Sequence, residues 1–144
     1  ESEGPSTIAA IMVEGLPGTA GILVPPPGYL EGLRELADSH GIVLILDEVM
    51  AGFGRTGRWF AHQHDGVRPD LVTFAKGVNS GYVPVGGVIV SEPILETFRE
   101  RAMPGGLTYA GHPLAAASIV ATIDAMTEEG IVENAARLGS DILG

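Results

Sequence analysis

Apolar and polar residues along this chain fall into blocks whose period changes several times. Ile8-Ala9-Ala10-Ile11-Met12-Val13 is an unbroken apolar run ending in Glu14, and Ile42-Val43-Leu44-Ile45-Leu46 is a second, ending in Asp47-Glu48-Val49. Short aliphatic runs bounded by turn signals read as strands buried on both faces, the kind found in parallel sheets. Between them lie a glycine-rich loop, Gly15 to Gly21, and Pro25-Pro26-Pro27-Gly28, which cannot be helix interior. From Tyr29 to His40 the period becomes helical: Tyr29, Leu30, Leu33, Leu36 and Ala37 share a face, and Gly41 suits the C-terminal cap. Strand, helix and strand make a βαβ unit, which implies a right-handed crossover and parallel pairing.

The pattern continues beyond a second glycine-rich loop. Leu71-Val72-Thr73-Phe74-Ala75 is a short strand that delivers Lys76 at its end, and Gly77 to Pro84 is rich in turn residues. Val85 to Val90 is a further strand, Pro93 to Arg101 a short helix, and Met103-Pro104-Gly105-Gly106 a break. An alanine-rich helix runs from Pro113, well suited to a first helical turn, to about Met126, and Glu128 to Leu143 is helical again around Gly130. The expected fold class is α/β, a three-layer, mostly parallel sheet wrapped by helices.

Composition narrows the function classes. With 144 residues there is material for one ordinary domain with a core of its own. A net charge of −10 argues against a nucleic-acid or anionic-membrane surface, since phosphates would be repelled. No cysteine is present, so disulfides, thiolate zinc sites and thiol nucleophiles are excluded. No apolar run approaches the roughly 18 to 20 residues of a membrane-spanning helix, and no signal-like segment opens the chain, so the cytoplasm is the expected compartment. The chain starts at Glu1 without methionine and stops at Gly144 just after helical sequence, as if cut from something longer.

Three strands end in ionisable residues: Glu14, Asp47-Glu48 and Lys76. Ligands of open α/β sheets bind beyond the carboxyl ends of the strands, so these ends define a candidate site. A magnesium-nucleotide site would explain Ile45-Leu46-Asp47-Glu48, but no Gly-Lys pair exists to cradle phosphates. Gly52-x-Gly54-x-x-Gly57 has the dinucleotide spacing; the helix that should follow is missing, and the glycines are better explained by a tight loop. His62 and His64 lack an evident third ligand and read as solvated loop histidines, while His40 suits a helix C-terminus. By strand alternation Glu48 points away from Asp47 and is assigned a structural role. A lysine facing an aspartate across neighbouring strands is the chemistry of pyridoxal phosphate. A partly buried lysine can form a Schiff base with the aldehyde, and the acid can hold the pyridine nitrogen protonated. A surface residue, or half of a salt bridge, is the alternative for Lys76.

Leu46-Asp47-Glu48-Val49-Met50-Ala51-Gly52-Phe53-Gly54-Arg55-Thr56-Gly57 strongly resembles the signature of class III (ω-amino acid) aminotransferases, pyridoxal-phosphate enzymes of fold type I. The likeness continues through Phe74-Ala75-Lys76-Gly77, Pro84-Val85-Gly86-Gly87 and Thr108-Tyr109-Ala110-Gly111-His112-Pro113. The resemblance implies that Lys76 carries the cofactor and that Asp47 partners its ring nitrogen. It further implies that Val49 presses on the ring and that Thr108 reaches the cofactor phosphate of a neighbouring subunit in a homodimer. An N-cap or loop hydroxyl is the plainer alternative for Thr108. Glu14 matches the family's substrate-side glutamate, often paired with an arginine. Met50 stands where many members have glutamine, and methionine is common there in subfamilies resembling taurine–pyruvate and other ω-amine–pyruvate aminotransferases; plain packing is the alternative. Gly15 stands where proline is usual.

The implied reaction is transfer of an amino group from an ω-amine or ω-amino acid to a keto acid such as pyruvate. An aminomutase resembling glutamate-1-semialdehyde aminomutase, or an inactive fragment, are the alternatives. The implied organisation places residues 1–126 in the central part of the cofactor-binding large domain and residues 127–144 on the way to a C-terminal small domain. The family's phosphate loop would lie upstream.

Overall fold

The computed structural model describes residues 3–143. Glu1, Ser2 and Gly144, the ends that suggested a longer chain, lie outside the described residues. Four strands form one sheet in the order β1 (Ala10–Glu14), β2 (Val43–Asp47), β3 (Leu71–Phe74) and β4 (Gly87–Val90). The first three are parallel and β4 runs antiparallel to β3. The fold class is α/β with a mostly parallel sheet, as the sequence implied.

Helix α1 (Tyr29–His40) occupies the residues its periodicity predicted. Gly41 caps it in the left-handed conformation at φ 65°, where a Cβ would be strained. The helix packs on one face of the sheet: Leu30 and Ala37 meet Leu44, Leu46, Ile42 and Val67, with Ile11 and Val13 beside them. Asp70 fastens the same layer. Its Oδ2 accepts the Leu44 N–H and an Arg34 N–H, both at 2.8 Å, tying β2 and α1 to the approach to β3. Burial by itself would lower the Arg34 pKa, but hydrogen bonds and charge contacts with Asp70 and Asp38 outweigh it and raise it.

The opposite face corrects the reading of β1 and β2 as doubly buried. Along β2, Leu44 and Leu46 are fully buried whereas Val43, Ile45 and Asp47 are half-buried. Strand β1 lies at the sheet edge, and its Met12 is 57% exposed. A continuous aliphatic run therefore marks apolar residues on both faces without fixing what covers them.

The later elements shift by a few residues. The expected strand from Val85 begins at Gly87, because Gly86 and Gly87 pass close to Phe74. A Cβ on Gly86 would sit 2.9 Å from the Phe74 carbonyl oxygen, and one on Gly87 would sit 2.5 Å from the Phe74 ring. The helix expected over Pro93 to Arg101 is shorter, α2 (Glu92–Glu96). Helices α3 (Pro113–Glu128) and α4 (Ile131–Leu143) follow, with Gly130 at φ 60° making the corner between them.

The glycines of the 52–57 loop are explained by tight folding. Gly57 has φ 80°, and a Cβ there would lie 2.6 Å from the Ala136 Cα of α4, a backbone atom that cannot turn aside. Gly57→Ala is expected to destabilise the fold by about 3 kcal/mol, combining left-handed strain with overpacking. Chemical denaturation measures it; a loss below about 0.5 kcal/mol, the scale of ordinary surface changes, would contradict this packing.

Candidate active site

The parallel register brings the three ionisable strand ends together. Glu14 pairs with Asp47 across β1 and β2, and Asp47 pairs with Thr73 across β2 and β3, three residues before Lys76. All three strands reach the same edge of the sheet, where their carboxyl ends present Glu14, Asp47 and Lys76.

Asp47 closes a short turn on its own chain: Oδ1 accepts the Val49 N–H at 2.9 Å. That bond fixes the carboxylate and the half-buried Val49 relative to each other. Oδ2 has no hydrogen-bond partner among the described residues, so it remains able to accept a donor from a ligand.

Lys76 begins a 3-10 turn (Lys76–Asn79) with its backbone at φ 45°, a left-handed conformation that costs a non-glycine residue about 1–2 kcal/mol. Its neighbours hold it there. Val78 and Asn79 are each 1% exposed. Asn79 Nδ2 donates to the Val83 carbonyl at 2.6 Å and to Ser118 Oγ of α3 at 3.0 Å, and its Oδ1 accepts the Gly81 N–H. Beneath the turn, the Phe53 ring stands edge-on to Phe60, Phe74 and Trp59, at 5.3, 5.7 and 6.5 Å. A Cβ on Gly77 would come within 3.0 Å of Phe53 Cβ, so that glycine lets the turn settle on the aromatic cluster.

The Lys76 side chain itself is exposed, which corrects the expectation that it is partly buried. Its Nζ donates to Met50 Sδ at 2.9 Å and makes no salt bridge with a described residue, so of the two plainer alternatives the surface residue fits its exposure and the salt bridge does not. Met50 in turn lies against Gly18, where any Cβ would approach Met50 Cε to 3.0 Å. Glu14 Oε2 accepts the Gly18 N–H at 3.1 Å. No arginine pairs with it among the described residues; it braces the loop that borders Met50.

Glu48 points to the other face, as alternation required. It is 1% exposed, and its carboxylate accepts the Ala61 and His62 N–H groups and the His62 ring, each at 2.9 Å. His64 Nε2 lies 3.1 Å from Thr56 Oγ1 and the Thr56 carbonyl oxygen. No group of three or more His, Asp or Glu side chains among the described residues is placed to hold a metal ion. Thr108 is an exposed hydroxyl in the loop before α3, as the loop-hydroxyl alternative has it; the N-cap of that helix is His112, so the N-cap alternative does not apply.

Sequence reasoning missed Asn79, the buried Glu48–His62 pair and the Phe53 cluster, whose partners are separated along the chain. One signal was available. Lys76 is the only lysine in the 144 residues.

A carboxylate with a free oxygen, a primary amine just beyond the end of the neighbouring strand and an apolar β-branched residue beside the acid are a donor set suited to a Schiff-base site for a heteroaromatic aldehyde. The residues present fit pyridoxal phosphate. On an open, mostly parallel sheet, that set is compatible with a pyridoxal-phosphate-type α/β fold.

The comparisons agree with the geometry. The model of the family described as "Aminotransferase class-III" matches residues 1–143, and the chain belongs to that family. It is 45% identical over 140 residues to a β-alanine–pyruvate aminotransferase of Pseudomonas aeruginosa, covering 92% of this chain and 31% of that protein. It is 47% identical over 133 residues to an acetylornithine aminotransferase of Methanopyrus kandleri, covering 91% and 33%. Among solved structures, an (S)-enantioselective ω-transaminase of Thermomicrobium roseum superposes with a TM-score of 0.92 at 49% identity, covering 99% of this chain and 32% of that one. A taurine:2-oxoglutarate aminotransferase of Bifidobacterium kashiwanohense, solved with PLP and glutamate, gives 0.89 at 51% identity, covering 91% and 29%. The chain spans about a third of the length of the curated relatives it matches. Pyridoxal 5′-phosphate is the cofactor characteristic of the family.

Proposed function

We propose that the protein containing this chain is a transaminase that moves an amino group from an ω-amine or ω-amino acid to a keto acid. The observation that carries the reading is the delivery of Asp47 and Lys76 by adjacent parallel strands to one sheet edge, in a chain of this family. The β-alanine, putrescine and taurine donors named for relatives support an ω-amine donor, and pyruvate is the acceptor in all three of those names. The 2-oxoglutarate of the Bifidobacterium relative makes a dicarboxylic keto acid the second candidate.

Each side chain has a role that follows from its chemistry. Lys76 holds the cofactor through its aldehyde. Displaced by the incoming amine, the Lys76 Nζ would be free to take the proton from the amine-bearing carbon and return it to the former aldehyde carbon. Its φ 45° backbone and the Asn79 anchor keep that amine at the sheet edge through both steps. Asp47 would accept the ring N–H of the bound cofactor and Val49 would lie against its ring, while Met50 borders Lys76. When bound, pyridoxal phosphate supplies the electron sink for the carbanion. Thr108, exposed on the loop before α3, is placed by this reading on the cofactor phosphate of a partner subunit in a homodimer. Glu14 lies on the substrate side.

Residues 1–126 are assigned to the large domain and 127–144 to the passage toward a small domain. No helix among the described residues is long and apolar enough to cross a membrane, and we place the protein in the cytoplasm.

The reading predicts ping-pong kinetics in the complete enzyme. Mixing the holoenzyme with β-alanine or taurine alone should release one equivalent of carbonyl product, and pyruvate added afterwards should regenerate the starting enzyme. Product appearing only when both substrates are present, or isomerisation of an amino-aldehyde with no acceptor, would contradict it; the latter would favour an aminomutase.

A further inference from the structure

Thr73 is the register partner of Asp47 on β3, and partners in a parallel ladder present side chains on the same face. Its hydroxyl Oγ1 is buried and makes no hydrogen bond. Native interiors rarely leave a buried hydroxyl unpaired, and each exception calls for an explanation. Two further facts narrow it. On the other side of Thr73 the row continues with Val88 of β4, which offers no polar side chain. Asp47 spends Oδ1 on the Val49 N–H and leaves Oδ2 without a partner among the described residues. An unpaired donor and an unpaired acceptor thus occupy neighbouring positions of one row, at the strand ends that form the site.

We propose that Thr73 is a positioning residue for Asp47, donating its hydroxyl to the carboxylate when the cofactor is bound. A carboxylate has lone-pair capacity for the Val49 N–H, the Thr73 O–H and a ring N–H together. A donated hydrogen bond favours the ionised acid, the form that Asp47 must keep to hold a protonated ring nitrogen. This role rests on the transamination reading above and extends it to a residue that no chemical motif marked: in a strand, valine would fill the same space.

The test compares Thr73→Val and Thr73→Ser in the complete enzyme, reading the dissociation constant of pyridoxal phosphate from its visible absorbance. Thr73→Val should weaken retention about tenfold, the scale of a lost hydrogen bond to a charged group, and Thr73→Ser should restore it. In an Asp47→Asn background the valine change should cost nothing further, because the charged acceptor is gone. The apoprotein with valine should melt no lower than wild type, since it loses only an unpaired hydroxyl. Wild-type retention by the valine variant, equal weakening in both backgrounds, or a destabilised apoprotein would each overturn the role while leaving the transamination reading standing. Absence of cofactor absorbance in the wild-type holoenzyme would overturn that reading instead, and the Thr73 role with it.

Discussion

Replacing Lys76 by alanine in the complete enzyme lowers transamination by at least about 10³-fold and removes the visible absorbance of the lysine-bound cofactor. Two functions vanish together, the covalent hold on the aldehyde and the base that moves the proton, and the second alone is worth about 10² to 10⁴. No second lysine in this chain can substitute, because Lys76 is the only one. The backbone offers no remedy either: the φ 45° turn is held by Val78, Asn79 and Phe53, so it delivers position 76 to the sheet edge whatever residue stands there. The variant should therefore fold like wild type while being inactive, and addition of a small primary amine such as methylamine should recover part of the rate. Turnover within tenfold of wild type would remove Lys76 from the mechanism.

Asp47→Asn carries the second large effect. The side chain keeps its shape and can keep the Val49 N–H bond through its carbonyl oxygen, so the turn it closes survives. What disappears is the negative charge opposite the ring nitrogen. Proton abstraction from the donor should slow by about 10²- to 10³-fold, the scale of removing one preorganised electrostatic contact. Cofactor retention should fall much less, since phosphate contacts and the Lys76 bond remain. Stopped-flow measurement of the first half-reaction separates the two. Equal losses in rate and retention would mean that Asp47 serves binding alone.

The parts of this site that were legible in the sequence are those written in local pattern. Helix α1 could be read to its ends because its apolar stripe is periodic and Gly41 stops it in a conformation that glycine alone adopts cheaply. Asp47 and Lys76 stood out because each follows an aliphatic run, and the run fixes where a strand delivers its last residue. Exposure was not legible. Ile8 to Val13 has the same apolar character as the β2 run, yet β1 is a sheet edge with Met12 exposed, because burial depends on what lies beside a strand. The start of β4 was misplaced for a steric reason, the passage of Gly86 and Gly87 against Phe74.

Pairings across the loop were also hidden. Glu48 reaches Ala61 and His62 over 13 and 14 residues, and Asn79 reaches Ser118 over 39. No periodicity encodes such contacts. Alternation said that Glu48 leaves the site, but only the folded chain shows it tying the glycine-rich loop beneath the Lys76 turn. Thr73 was invisible for the same reason. Its significance lies in being unpaired beside Asp47, and a strand sequence records neither fact.

The central claim is that the cofactor is bound through Lys76 at the edge formed by β2 and β3. Borohydride reduction of the complete holoenzyme makes that bond permanent, and mass spectrometry of its peptides then locates it. The account predicts a pyridoxyl-phosphate adduct on Lys76, formed in wild type and absent when an amine donor has first discharged the enzyme. An adduct on any other residue, or none in an enzyme that still transaminates, would contradict it.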